Sequence, residues 1–172
     1  MNYTYREQLV PADRDVVKRI VKSTGFFYPE EELIAVDLVD AHLSGGIESG
    51  YHFLFCQDES GAVVGYTCFG PITGTRGSFD LYWIVVDRNR QGLGIGRRLL
   101  EETEKAVREM GGLRIYAETS SRSLYEPTRA FYRNSGYTEE AMLKDFYTPG
   151  DSKIIYVKEL AQATGIPANA KD

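Results

Sequence analysis

The spacing of apolar and polar residues along the chain predicts a mixed α/β fold. Apolar or alternating runs predict strands over 2–9, 51–57, 62–69, 78–87, 113–119, 137–146 and 153–159. Apolar residues at helical spacing predict helices over 11–22, over 30–43, from the glycines at 92–96 to 110, and over 127–134. The run at 78–87 is almost wholly apolar, which predicts a strand buried on both faces. This order of elements indicates a single sheet with helices packed on it.

The segment 84–98 carries the most specific chemistry of the sequence. An apolar run, Ile84–Val86, leads into a loop with glycines at 92, 94 and 96, and that loop opens the third helix. Glycine permits positive φ and a close approach of backbone to a ligand. The first amides of a helix have no intrahelical partner and attract anions. Since four arginines also lie between 88 and 98, the segment predicts a site for a phosphorylated ligand.

The spacing of the loop excludes two common phosphate-binding motifs. Arg97 stands where a dinucleotide fingerprint needs its third glycine, and no Gly-Lys-Ser/Thr follows. The pattern that fits is Gln/Arg-x-x-Gly-x-Gly/Ala, from Gln91 to Gly96. In this form the loop resembles the pyrophosphate-binding motif of the GNAT superfamily of N-acetyltransferases, whose co-substrate is acetyl-coenzyme A (acetyl-CoA). The order of elements over 2–160 is similar to that of this family.

The resemblance implies a fold and a set of residues for the co-substrate. The fold is a mixed, mostly antiparallel sheet of about seven strands with about four helices and splayed central strands. A single acetyltransferase domain over 1–160 precedes a tail at 161–172. The backbone of Ile84, Val85 and Val86 is expected to pair with the pantetheine arm, although the same side chains also suit a core. The residues expected to bind the diphosphate are Gln91, Gly92, Leu93, Gly94, Ile95, Gly96 and Arg97.

Three residues are candidates for proton transfer. An amine acceptor with a pKa near about 10.4 must lose a proton before it attacks a thioester. Asp80 is one candidate base, because the histone-acetylating branch of the family carries a glutamate at the matching place. Glu118 is the other, and either carboxylate acts directly or through water, or is merely structural. Tyr132 follows Phe131 in a segment similar to the one whose tyrosine protonates the departing sulfur in the family.

The acceptor is predicted to contact aromatic residues. Phe26, Phe27 and Tyr28 lie between the first two helices, where family members line the acceptor site, although such a trio also suits a hydrophobic plug. Tyr125 is a candidate wall from the loop before the last helix. The resemblance thus implies an N-acetyltransferase that acts on a primary amine of a small molecule or peptide. A transferase with another acyl-CoA donor and a non-catalytic acyl-CoA sensor remain alternatives.

Composition narrows the partners further. The net charge of −5 and the pI of about 5.2 argue against nucleic-acid binding. The sequence has no apolar run of about 20 residues and no signal-peptide core, so no membrane partner and a cytoplasmic location are expected. Cys56 and Cys68 lie in apolar runs and are expected to be buried free thiols. With two cysteines and two histidines, no metal is expected, and a homodimer is compatible with the resemblance.

Overall fold

A computed structural model describes residues 2–161, and within that range the chain forms seven strands and four helices. The strands are β1 Thr4–Arg6, β2 His52–Gln57, β3 Val63–Pro71, β4 Ser78–Val86, β5 Arg114–Ser120, β6 Thr138–Thr148 and β7 Asp151–Glu159. The helices are α1 Asp13–Thr24, α2 Pro29–Gly45, α3 Ile95–Glu109 and α4 Glu126–Asn134. Of the tail predicted at 161–172, all but Ala161 lies outside the described residues.

The strands form one sheet in the order β1-β2-β3-β4-β5-β7-β6. Only β4 and β5 are parallel neighbours among the described strands, and the remaining pairs are antiparallel. The predicted mixed, mostly antiparallel sheet is therefore confirmed. The first strand is shorter than predicted, since its ladder with β2 pairs only Thr4–Arg6 with Phe55–Gln57.

Two hydrophobic clusters hold the helices on opposite faces of the sheet. Neighbouring residues of β2 belong to different clusters: Phe55 packs with α1 and α2, and Cys56 packs with α3 and α4. Because successive side chains of a strand point to opposite faces, the two helix pairs cover the two faces. Val17 of α1 and Leu99 of α3, both 0% exposed, are central to their respective clusters.

The central strands β4 and β5 separate partway along their length. They pair only between Ser78–Leu81 and Arg114–Ala117, and each strand then continues without the other. This separation corrects the prediction that 78–87 is buried on both faces. Tyr82 is 39% exposed, because this half of β4 borders an open wedge instead of a neighbouring strand.

Candidate active site

A first cavity, of about 460 Å³, lies where β4 leads into α3. Six of the predicted loop residues line it: Gln91, Gly92, Gly94, Ile95, Gly96 and Arg97. Ile84 and Val86 contribute from β4, and Phe131 contributes from α4. The other two predicted residues do not line the cavity. The Val85 side chain is buried in the α1–α2 cluster, and Leu93 is 48% exposed.

The start of α3 presents unsatisfied amides to this cavity. Gly94 caps the helix with φ of 75° and without a side-chain hydrogen bond. The first helical hydrogen bond runs from Arg98 N to Gly94 O at 3.2 Å, so the amides of Ile95, Gly96 and Arg97 have no acceptor within the helix. Such amides and the helix dipole favour an anion at this end. The local geometry suits the diphosphate of a nucleotide-like ligand.

The arginines near the loop are engaged mainly with the protein itself. Arg90 donates to Asp58 at 2.9 Å, and Arg97 donates to Glu101 at 3.0 Å. Both of these arginines line the first cavity. Arg88 instead donates to a backbone carbonyl at the end of α1 at 2.9 Å. Only some of the arginines between 88 and 98 therefore line the cavity, and those that do also form ion pairs with carboxylates of the protein.

A second cavity, of about 390 Å³, occupies the wedge between β4 and β5. Ile84 lines both cavities. The consecutive residues Phe131 and Tyr132 of α4 line one cavity each. The two cavities thus share a wall at Ile84, beyond the point where β4 separates from β5. Together they extend from the mouth of α3 to the region between the splayed strands.

Tyr132 lies at this junction in a cluster of aromatic rings. It is 4% exposed, and its ring centroid lies 5.5 Å from that of Tyr137 and 5.6 Å from that of Tyr156. Burial raises the pKa of Tyr132 well above its usual value near 10.0. The phenol is therefore protonated at neutral pH and able to donate a proton into the second cavity.

The structure places Asp80 and Glu118 near each other but in different surroundings. Glu118 lines the second cavity, and its carboxylate lies 2.6 Å from Lys153 Nζ. Asp80 is half-buried on β4, faces Tyr116 in the ladder, and is not among the lining residues. Burial, followed by the charge of Glu118, raises the pKa of Asp80, and Lys153 lowers it. The charge of Glu118, on the neighbouring strand, thus acts on Asp80.

The aromatic residues predicted for the acceptor come together above the second cavity. Phe27, Tyr28 and Tyr125 line it. Phe26 is not among the lining residues but packs edge-on against Tyr125, with ring centroids 4.5 Å apart. Arg122 donates to the Tyr28 hydroxyl at 2.9 Å. These contacts join the loop after α1 to the loop after β5.

Sequence reasoning missed several residues of the second cavity. They are Glu31, Tyr82, Trp83, Arg122, Tyr147 and Asp151. Glu31 belongs to an acidic run in the first turn of α2, where carboxylates interact favourably with the helix dipole whether or not they line a site. Tyr147 and Asp151 flank the turn between β6 and β7. Their approach to the wedge depends on β7 pairing with β5, which the local sequence does not signal.

Residues 17–137 match the family model for the acetyltransferase (GNAT) family. The chain belongs to the GNAT family. A GNAT-family structure from Desulfovibrio desulfuricans is 48% identical, with a TM-score of 0.90, and covers 93% of this chain and 100% of that one. No curated protein sequence matched the chain.

Two more distant structures share the GNAT fold, and each contains coenzyme A or its acetyl thioester. An aminoglycoside 6′-N-acetyltransferase in complex with coenzyme A is 21% identical, with a TM-score of 0.76, and covers 96% of this chain and 100% of that one. The structure of the Salmonella typhimurium protein yncA with acetyl-CoA is 20% identical, with a TM-score of 0.71, and covers 98% of this chain and 99% of that one. At these identities the likeness concerns the fold alone.

Other features of the described residues bear on partners. None of the helices within 2–161 is both long and apolar enough to cross a membrane. In the same range no three His, Cys, Asp or Glu side chains are grouped so that they could hold a metal ion. Cys56 and Cys68 are free and buried, which confirms the prediction for both thiols.

Proposed function

We propose that this GNAT protein transfers the acetyl group of acetyl-CoA to a primary amine. One observation carries the proposal: the cavity at the mouth of α3 and the cavity in the wedge share Ile84 in their walls, and Tyr132 lines the second. A long, phosphorylated thioester and a separate amine need two sites of this kind that join at the reacting atoms. The cytosol, where unpaired thiols such as Cys56 and Cys68 persist, is the compartment we infer.

The residues of the first cavity fit the diphosphate and the arm of acetyl-CoA. The amides of Ile95, Gly96 and Arg97 would bind the diphosphate, since they lack other acceptors. The edge of β4 that faces the wedge has no strand partner among residues 2–161 beyond Leu81. Its free backbone groups would hold the pantetheine amides as an added strand would. Bound acetyl-CoA supplies an acetyl group activated as a thioester.

Side chains in and beside the second cavity would donate and accept the protons that the reaction transfers. The amine nitrogen forms a bond to the acetyl carbon while the carbon–sulfur bond breaks. Tyr132, whose raised pKa keeps it protonated at neutral pH, gives its hydroxyl proton to the departing sulfur. Asp80 or Glu118, directly or through water, accepts the proton that the amine must lose. The amine reacts directly with the thioester, so no acyl-enzyme forms.

The test compares two tyrosine-to-phenylalanine variants in an assay of thiol release from acetyl-CoA over a panel of amines. Tyr132→Phe should lower kcat by about 100-fold or more, the usual contribution of a general acid, with the Kd of acetyl-CoA unchanged. Tyr137→Phe is the matched control, because Tyr137 belongs to the same ring cluster but lines neither cavity. Equal kcat values for the two variants, or acetyl-CoA binding without transfer to any amine, would contradict the proposal.

A further inference from the structure

The second cavity is walled mainly by aromatic rings. Besides Tyr132, six aromatic side chains line it: Phe27, Tyr28, Tyr82, Trp83, Tyr125 and Tyr147. The rings support one another, as the Phe27 and Trp83 centroids, 4.8 Å apart, illustrate. Such walls favour a flat or apolar ligand body, and their faces also attract cations.

Three carboxylates surround the same cavity. Glu31, Glu118 and Asp151 all line it, although they come from α2, β5 and β7. Their charges converge on one ring, because burial and then the charges of Glu118, Asp151 and Glu31 raise the pKa of Tyr147 to about 12. Three carboxylates therefore act on this ring, against one nearby ammonium, Lys153 Nζ, at 5.8 Å from its centroid.

The cations nearby are already engaged. Arg122, the one cationic residue among the described lining residues, donates to the Tyr28 hydroxyl at 2.9 Å. Lys153 lies 2.6 Å from Glu118 and 3.8 Å from the centroid of the Phe146 ring. The Tyr28 hydroxyl is neutral, so Arg122 keeps its positive charge, and the three carboxylates outnumber Arg122 and Lys153 by one.

Two of the carboxylates have no cation within salt-bridge distance, although the charge of Arg122 reaches Asp151. Asp151 is 7% exposed and accepts a hydrogen bond from the Ser120 hydroxyl at 2.5 Å. Glu31 accepts from the Tyr28 amide at 2.8 Å. Neither forms an ion pair with another described residue. A ligand with a positive charge would complete this arrangement, whereas a carboxylate or phosphate on the ligand would face these like charges, with Arg122 as the one cation among the described lining residues.

We infer that the acceptor is a compact aralkyl amine with no acidic group: its ring packs among the aromatic walls and its ammonium enters between the carboxylates. The inference rests on the proposed function and narrows its substrate. The cavity volume of about 390 Å³ limits the size of the acceptor, since a cavity of this volume encloses a small molecule rather than a folded protein surface. The carboxylates that bind the ammonium also offer a route for the proton that it loses before attack.

The test uses pairs of amines that differ by one carboxylate: 2-phenylethylamine against L-phenylalanine, and tyramine against L-tyrosine. With acetyl-CoA, kcat/KM should favour the non-acidic member by about tenfold or more, since like charges in an enclosed site are strongly disfavoured. Equal values, or a preference for the amino acids, would overturn the inference even though transfer itself occurs.

A matched pair of variants tests whether the cavity causes the preference for the non-acidic amine. Glu31→Gln should reduce this preference in kcat/KM by about fivefold, and glutamine still accepts the capping hydrogen bond from Tyr28. Glu30→Gln, at the exposed neighbouring position that does not line the cavity, should leave it unchanged. A preference that survives Glu31→Gln intact would place the selectivity elsewhere and contradict the inference.

Calorimetry tests which amines bind without requiring that any of them reacts. The same amine pairs are titrated into protein saturated with coenzyme A. Tighter binding of the non-acidic members without turnover would refute the proposed transfer but support the assigned ligand class. Absence of binding for every amine, or tighter binding of the amino acids, would refute the ligand class.

Discussion

The mouth of α3 offers the sharpest test of how the co-substrate binds. Gly94 caps the helix with φ of 75°, a conformation that costs an L-residue about 1–2 kcal/mol. A Cβ at this position would meet no other atom within 4 Å, so Gly94→Ala adds backbone strain without a clash. As the backbone relaxes toward negative φ, the Ile95 amide rotates away from the cavity. One lost hydrogen bond to a charged group costs about 1.5–3 kcal/mol, which raises the Kd of acetyl-CoA by about 10- to 150-fold.

Gly111, just beyond the other end of α3, provides the matched control. It has φ of 81°, and a Cβ added there would also meet no other atom within 4 Å. Gly111→Ala should therefore lower the free energy of unfolding by about 1–2 kcal/mol, as Gly94→Ala does. Urea unfolding measures that change in both variants, and calorimetry measures acetyl-CoA binding. Only Gly94→Ala should bind more weakly. Similar Kd values for two equally destabilised variants would refute the role of the helix mouth.

Two further predictions concern the base and the fold. After burial, the charge of Glu118 is the next cause that raises the pKa of Asp80, so Glu118→Gln should lower that pKa. The acid limb of the plot of kcat/KM against pH should then move to lower pH. An acid limb that stays in place would exclude Asp80 as the base. At Gly70 a Cβ would lie 1.9 Å from the Gly50 carbonyl oxygen, so Gly70→Ala should lower the free energy of unfolding by about 3 kcal/mol. Gly45→Ala, whose Cβ would have its nearest neighbour at 3.5 Å, should cause no such loss in the same urea titration, and equal stability of the two variants would contradict this packing.

The order of elements was predictable because each has a strong local signal. The α1 pattern of buried Val17, Ile20 and Val21 has helical spacing, and Gly25, with φ of 62°, ends the helix as glycine commonly does. Burial along β4 was less predictable. Its apolar residues look alike in sequence, yet Tyr82 is exposed, because burial there depends on where β5 diverges.

The donor side of the candidate site was more visible in the sequence than the acceptor side. The residues of the first cavity from Gln91 to Arg97 are contiguous, and their backbone chemistry follows from glycine spacing. The second cavity draws on Glu31, Trp83, Tyr147 and Asp151, which belong to separate parts of the chain. Only the pairing of the strands brings such residues together, so single residues gave no signal of their shared surroundings.

The position of Ile84 between the two cavities has a consequence for selectivity. Its side chain lines both, so under the proposed function the acyl group and the amine occupy adjoining parts of one continuous space. A donor with a longer acyl chain would extend past Ile84 and shorten the space left for the amine. The size limits for the two substrates are thereby coupled: residue 84 governs acyl length and acceptor bulk together, and a change that relaxes one limit tightens the other.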